Sequence, residues 1–195
     1  MKRRLKISYN SPAVLTFVLI CLSVLVINIL TMGQVIPFLF TTYHSSLANP
    51  LTYIRFFTHV LGHIGWSHLI NNASFILLLG PMLEEKYGSA TIIKIIVITA
   101  VVTGIVNYIF FPNVGLCGAS GIVFAFIIMA SFTGFNSGEI PLTFILVAVI
   151  YIGQQVVEGI TVSDNISNLA HIIGGAVGAL LGYCLNKKPR YYQYK

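Results

Sequence analysis

The sequence predicts an all-α membrane protein, a bundle of six transmembrane helices in a single domain that covers residues 1–195. The chain is 56% hydrophobic and only 8% charged, whereas a soluble domain carries about 25% charged residues. Its apolar residues fall into runs long enough to cross the hydrocarbon core of a bilayer, which is roughly 30 Å thick. This composition excludes a disordered chain, a fibrous chain and almost any soluble enzyme.

Six apolar runs are candidates for transmembrane segments. Each must be helical, because lipid offers no hydrogen-bonding partner to an unpaired backbone group. The first run follows a basic stretch, but its apolar core exceeds the roughly 7 to 15 residues of a secretory signal and no A-x-A site follows it. We therefore expect a retained helix. The six runs are residues 13–32, 67–83, 90–111, 117–132, 140–157 and 168–185.

The segment between the first two runs, residues 33–66, is too polar to span a membrane and is interrupted by Pro37 and Pro50. It nevertheless carries aromatic side chains, which concentrate at the boundary between lipid and water. We therefore predict a long first loop that lies in the membrane interface. Its aromatic residues include Tyr43, Tyr53, Phe56, Phe57 and Trp66.

The basic residues predict the orientation of the bundle. If the six helices alternate in direction, ten of the eleven Lys and Arg residues fall on one side, and only Arg55 lies opposite. Basic residues favour the cytoplasmic side, so we place both termini in the cytoplasm of a multi-pass cell-membrane protein. The net charge of +6 comes mostly from clusters at the two termini, a pattern that suits the anionic lipid bilayer better than nucleic acid.

Nucleophilic or ionisable groups are rare in the predicted helices, and each is a candidate functional residue. Ser120 lies near the start of the fourth run, within Gly118-Ala119-Ser120-Gly121, and His171 lies about one turn into the sixth. Both runs begin on the outer side, so both residues lie about 5 Å from that end along their helix axes. A serine hydroxyl becomes a nucleophile when a neighbouring histidine takes its proton, so this pair predicts a hydrolytic site.

Small residues on the same two helices predict that their backbones approach closely. Residues spaced by three or four share one helix face, and small residues on such a face let transmembrane helices pack tightly. On the sixth run the small face follows His171 and consists of Gly174 or Gly175, Gly178 and Gly182, and on the fourth it consists of Gly118, Gly121 and Ala125.

His68 and Asn72 add a second polar pair in the outer layer. They are four residues apart on the second run, which also begins outside, so they share one face. A tetrahedral acyl intermediate needs hydrogen-bond donors aimed at its negative oxygen, and a histidine N–H with an asparagine amide can supply them. We predict a polar cavity, open to the outside and lined by these two residues, Ser120 and His171.

Taken together, these residues resemble the rhomboid family of intramembrane serine proteases. The resemblance rests on five pieces that occur in order between residues 55 and 182. They are 55–58 (R-F-F-T), 63–72 (H-I-G-W-S-H-L-I-N-N), 80–89 (G-P-M-L-E-E-K-Y-G-S), 115–121 (G-L-C-G-A-S-G) and 170–174 (A-H-I-I-G). The chain resembles the minimal six-helix bacterial form, and its first loop has Ile54-Arg55 where the family often has Trp-Arg.

The resemblance implies a role for each matching residue. Ser120 would be the nucleophile and His171 the general base, in a dyad without a carboxylate or a cofactor. His68, Asn72 and the backbone N–H of Ser120 would stabilise the oxyanion. Phe124, four residues after the serine, would stack on the catalytic imidazole; tyrosine is common at this position in the family.

Several residues allow other interpretations. Cys117 could compete with Ser120 as a nucleophile, although a small apolar side chain at the end of a loop is the simpler interpretation. Asp164 could orient the imidazole of His171 as the acid of a triad, but it falls in a polar outer loop where solvation suffices. Gln154 and Gln155 could either contact an unwound substrate or be interface residues, and the sequence does not choose.

Other polar side chains have structural interpretations. His59, His63 and His68 could suggest a metal site, but no carboxylate accompanies them and H-E-x-x-H is absent; we expect His63 to order the first loop as a donor. Glu84 and Glu85 follow the second run on the cytoplasmic side. We expect them to pair with Lys86 or to cap the third helix.

The predicted activity is peptide hydrolysis in the transmembrane helices of membrane-protein substrates. The first alternative is a proteolytically inactive relative that binds membrane clients; such proteins usually lack the serine or the histidine, and both are present here. The second is a transporter, which would require inverted repeats and charged groups near the midplane, and the sequence has neither. The natural substrate and the oligomeric state remain open.

Overall fold

The protein forms a bundle of α-helices. The computed structural model describes residues 8–132, 142, 143, 145–147, 149, 150, 153 and 165–186, with side chains of the last stretch from 170 to 185. Within these residues there is no β-strand, only an isolated backbone pair between Thr42 and Leu116. The helices are α1 (Pro12–Leu30), α2 (Val35–Leu39), α3 (Pro50–Thr58), α4 (Trp66–Tyr87), α5 (Ser89–Phe110), α6 (Ser120–Ser131) and α7 (Asn165–Asn186), and a 3-10 turn covers His59–Leu61.

Five of the six predicted runs are helices, namely α1, α4, α5, α6 and α7. The fifth run, residues 140–157, lies largely outside the described residues, so the count of six stays a prediction. The main difference is in α6, which begins at Ser120 rather than at residue 117. Its 12 residues extend about 18 Å, which is shorter than the hydrocarbon core of a bilayer.

The first loop contains more regular structure than its sequence predicts. Asn49 caps α3, because its side chain accepts the N–H of Leu51, and Pro50 occupies the first turn of the helix, where its missing N–H costs nothing. Arg55 and Phe56 on α3 are buried, whereas Phe57 is half exposed. The loop therefore presents one face to the bundle and another outward.

Contacts between small residues show the relative directions of three helices. Gly174 lies against Gly121 and Gly178 against Ala125, so α6 and α7 run parallel. A Cβ atom at Gly80 on α4 would lie 3.3 Å from the Phe126 ring, while the start of α4 lies beside the loop before α6. Helices α4, α6 and α7 therefore all begin at one end of the bundle, which we call the serine end.

Glu84 connects three helices at the opposite end. Its carboxylate oxygens accept the backbone N–H groups of Ala13 and Val14 at 2.9 Å each and the Ser89 hydroxyl at 2.6 Å. The first N–H groups of a helix have no partner within it, and Ser11 at the N-cap offers no side-chain hydrogen bond. Glu84 therefore caps α1, a role that the sequence did not predict, and it also accepts the hydroxyl of the first residue of α5.

Apolar side chains cover both the inside and the outside of the bundle. Phe126, Ile122 and Met129 of α6 are fully buried, so α6 lies at the centre of the core. Outward-facing side chains on α1 and α5 are also apolar, unlike those of a helix on a soluble protein. Two described helices, Pro12–Leu30 and Ser89–Phe110, are long and apolar enough to cross a membrane.

Candidate active site

Ser120 is the first residue of α6 and follows a turn that requires glycine. Gly118 has a φ of +124°, a conformation that side-chain-bearing residues rarely adopt. A Cβ atom on Gly118 would also lie 2.6 Å from Nε2 of His68. Gly118 thus permits both the turn into α6 and the approach of α4 to this loop. Ser120 itself is partly buried.

His68 and Asn72 both border the loop that leads to Ser120. The Cβ position of Gly118 lies 2.6 Å from His68 Nε2 and 3.7 Å from Asn72 Nδ2. Asn72 is buried and His68 is partly buried. Two side chains with N–H groups therefore lie beside the start of α6, whose own backbone N–H groups carry a partial positive charge. This arrangement can stabilise a negatively charged oxygen.

His171 contacts the face of α6 that carries the serine. The ring centroids of Phe124 and His171 are 4.5 Å apart, with an angle of 44° between the ring planes. Phe124 follows Ser120 by four residues, so the two side chains lie one turn apart on the same face. Phe124 therefore lies beside the imidazole, while the catalytic roles of Ser120 and His171 stay predictions.

The backbones of α6 and α7 are in direct contact, as the small residues predict. A Cβ atom at Gly174 would lie 2.8 Å from both the carbonyl carbon and the Cα of Gly121, and one at Gly178 would lie 2.7 Å from the Cα of Ala125. Real Cβ atoms essentially never approach other atoms within 3.0 Å. The prediction of close packing is confirmed, and this packing holds the helix of His171 against the start of α6.

The first loop supports the loop that precedes Ser120, residues 111–119, which we call the serine loop, through backbone hydrogen bonds. The carbonyl of His59 accepts the N–H of Gly118 at 2.9 Å, and Thr42 and Leu116 exchange two backbone bonds of 3.0 and 2.8 Å. Buried backbone groups need hydrogen-bonding partners, and here each segment supplies partners for the other. The position of Ser120 therefore depends on a segment more than 60 residues away in the sequence.

Arg55 anchors the first loop without a preceding tryptophan. Its Nε and Nη2 atoms donate to the carbonyl of Phe38 at 2.9 and 2.7 Å, and its guanidinium lies 4.5 Å from the centroid of the Tyr43 ring. The arginine is only 4% exposed, whereas Ile54 faces outward with 45% of its surface exposed. The arginine thus supplies the anchor, and the residue before it points away from the bundle.

His63 belongs to the site, although sequence reasoning gave it only the role of ordering the first loop. Its side chain is completely buried, its Nε2 lies 3.1 Å from Asn72 Nδ2, and its ring packs edge-on against that of His68 with centroids 4.9 Å apart. Burial, with a smaller contribution from His68, lowers the pKa of His63 to about 4. The sequence places His63 close to His68 and Asn72, but only the tertiary contacts identify the hydrogen bond between His63 and Asn72.

The remaining candidate residues fall into separate environments. His59 Nε2 lies 3.0 Å from the carbonyl of Ala100, so His59 and His63 point to different helices. In the part of the chain that the structure describes, no three His, Cys, Asp or Glu side chains form a group that could hold a metal ion. Cys117 is partly buried in the serine loop.

Part of the predicted site lies outside the described residues. Asp164, Gln154 and Gln155 belong to this part. The suggested contacts of these three side chains therefore stay predictions. The polar cavity also stays a prediction, although the four residues that would line it are all described.

Comparison with known proteins identifies the family. The model of the rhomboid domain matches residues 50–188, which is more than half of the chain. The rhomboid protease GlpG of Haemophilus influenzae is 26% identical over 68% of this chain and 70% of its own length. The GlpG of an Enterobacter species is 32% identical over 70% of this chain and 50% of its own length, and the chloroplastic rhomboid-like protein 11 of Arabidopsis thaliana is 25% identical over 69% and 53%.

The chain therefore belongs to the rhomboid family. The matched region begins at the first residue of α3 and includes Ser120, His171, His68 and Asn72. It thus contains every residue of the candidate active site.

Proposed function

We propose that this protein is an intramembrane serine protease that cleaves peptide bonds in or near the transmembrane helices of its substrates. The observation that carries the proposal is the contact between Phe124 and His171, one turn below Ser120 on α6. The side chains of His68 and Asn72, on α4, lie beside Gly118 in the loop that leads to Ser120. Two relatives named as rhomboid proteases match 68% and 70% of the chain.

The proposed reaction proceeds through an acyl-enzyme. Ser120 Oγ attacks the substrate carbonyl carbon while His171 accepts the hydroxyl proton. The resulting oxyanion is stabilised by His68, Asn72 and the Ser120 backbone N–H. The C–N bond then breaks as the imidazolium returns the proton to the leaving amine. Water attacks the ester with His171 as base, releasing the carboxylic acid and free Ser120.

The membrane environment determines which peptide bonds can react. A transmembrane helix protects its carbonyl groups by internal hydrogen bonds, so a substrate must unwind before attack. We propose that the serine end faces the exterior and that both termini lie in the cytoplasm. Substrates would then carry helix-weakening residues near the outer membrane boundary.

The test uses the purified protein in liposomes with a fluorescently labelled transmembrane substrate. Cleavage should disappear in Ser120→Ala and in His171→Ala. Matched controls are Ser131→Ala, at the far end of α6, and His44→Ala, an exposed histidine of the first loop; both should cleave at the rate of the unmodified protein. Unchanged cleavage in Ser120→Ala would refute the assignment.

A second measurement separates an active enzyme from an inactive relative. A fluorophosphonate probe should label Ser120, and the labelling should require His171. Binding of the substrate without cleavage, together with no labelling, would favour a protein that only holds membrane clients.

A further inference from the structure

His63 forms a hydrogen bond with Asn72, another residue of the candidate site. Its ring is completely buried, and both of its nitrogens have partners. Nδ1 lies 3.3 Å from the carbonyl oxygen of Leu61, and Nε2 lies 3.1 Å from Nδ2 of Asn72. The residue thus joins the first loop to α4 at the position of the proposed oxyanion donors.

These two contacts define the protonation state of the ring. A carbonyl oxygen can only accept, so Nδ1 must carry the hydrogen that bonds to Leu61. A neutral imidazole has a single N–H, so Nε2 presents a lone pair. Asn72 must therefore donate through Nδ2, and His63 accepts at Nε2 while it donates to the first loop at Nδ1. The lowered pKa of His63, at about 4, agrees with a neutral ring.

This hydrogen bond also orients the amide of Asn72. An amide nitrogen has two N–H groups, and His63 uses one of them. The same nitrogen lies 3.7 Å from the Cβ position of Gly118, beside the loop to Ser120. If the amide rotated by half a turn, its oxygen would replace the nitrogen there and would repel a negative oxygen rather than stabilise it.

We propose that His63 is a positioning residue that accepts an N–H from Asn72 and thereby directs the second amide N–H to the oxyanion. This inference rests on the proposed function, because the oxyanion forms only if the protein hydrolyses acyl groups. His63 does not touch the reacting atoms; it acts through Asn72. The imidazole of His63 also packs edge-on against the ring of His68.

The first test compares two replacements of His63 by steady-state cleavage. His63→Phe keeps a ring against His68 but removes the acceptor. Loss of an oxyanion donor costs about 10²- to 10³-fold in kcat, and an amide that is present but free to rotate should cost less, so we expect a fall of about tenfold with little change in KM. His63→Gln can accept through its amide oxygen and should stay within about threefold of the unmodified protein.

A double-mutant cycle separates positioning from general support of the fold. In the Asn72→Ala background, His63→Phe should change kcat by less than about twofold, because the amide that it orients is gone. Losses that multiply would overturn the inference, as would a His63→Phe variant with normal kcat.

A measurement without turnover keeps the inference testable if His63→Phe fails to fold. Nitrogen NMR of histidine-labelled Ser120→Ala protein should show His63 as the neutral form with hydrogen on Nδ1. Hydrogen on Nε2 would overturn the inference even in an active enzyme. If the unmodified protein cleaves nothing, the proposed function fails while the tautomer result still stands, so the two failures are distinguishable.

Discussion

The contact between Gly174 and Gly121 predicts that one added methyl group should separate the two halves of the active site. A Cβ atom at Gly174 would lie 2.8 Å from two backbone carbons of Gly121 and closer still to its carbonyl oxygen. An ordinary carbon–carbon contact is roughly 3.5 Å or more. Because the obstructing atoms are backbone and the contact with the carbonyl oxygen is the shortest, α7 must move away from α6 by about 1 Å.

The expected effect of Gly174→Ala is larger on catalysis than on stability. Alanine favours a helix over glycine by about 1 kcal/mol, while overpacking costs about 1 to 3 kcal/mol, so the net loss of stability should be roughly 1 kcal/mol. That corresponds to a fall in Tm of about 2 to 4 °C. Gly174 lies one turn after His171 and Gly121 directly follows Ser120, and a displacement of about 1 Å can cost about 10²-fold in rate.

The assay measures kcat on a transmembrane substrate together with thermal unfolding. We expect kcat to fall by about 10²-fold while most of the protein remains folded. The matched control is Gly65→Ala, because Gly65 has an extended φ of −174° and its Cβ would meet no atom within 4 Å. A Gly174→Ala variant that retains at least a third of the normal kcat would contradict the reasoning.

Three further predictions concern the support of the bundle. Arg55→Lys should lower the free energy of unfolding by about 1 to 3 kcal/mol, because lysine cannot reproduce the paired bonds to one carbonyl and the contact with a ring; equal Tm values would argue against this anchor. Glu84→Gln should cost about 1 to 3 kcal/mol in unfolding experiments, since a single amide oxygen leaves one N–H at the start of α1 without its acceptor, and Glu85→Gln serves as its control. Burial lowers the pKa of both His59 and His63 from 6.5 to about 4, so the unfolded chain takes up protons that the fold excludes. Stability should therefore fall as the pH drops from 6.5 towards 4, by up to about 1.4 kcal/mol per pH unit for each histidine; a Tm that is equal at about pH 7 and about pH 5 would exclude this coupling.

The positions of the long helices could be predicted from the sequence because their signal is local. Apolar runs bounded by polar or glycine-containing turns identified α1, α4, α5, α6 and α7. The beginning of α6 is predicted less accurately: the apolar run starts at residue 117, whereas the helix starts at Ser120. Residues 117–119 are apolar or small and yet form a loop around Gly118. Only the positive φ of Gly118 and the close approach of Gly118 to His68 distinguish this loop from the helix.

The short helices of the first loop and the partner of Glu84 could not be predicted in the same way. Helix α3 has nine residues, and helices this short are marginal on their own, so it depends on contacts such as that of Arg55 with Phe38. Glu84 and the N–H groups of α1 are about 70 residues apart in sequence. No local pattern reports a bond over that distance.

The sequence by itself determined the apolar segments, the family and the residues available for chemistry, because hydrophobicity, spacing and motif order are properties of the chain alone. The tertiary structure decided how those residues meet. It set the glycine contacts between α6 and α7, placed the ring of Phe124 beside His171, and made His63 the acceptor for Asn72. These features depend on distances and hydrogen-bond directions between segments remote in sequence, and such distances exist only once the helices have packed.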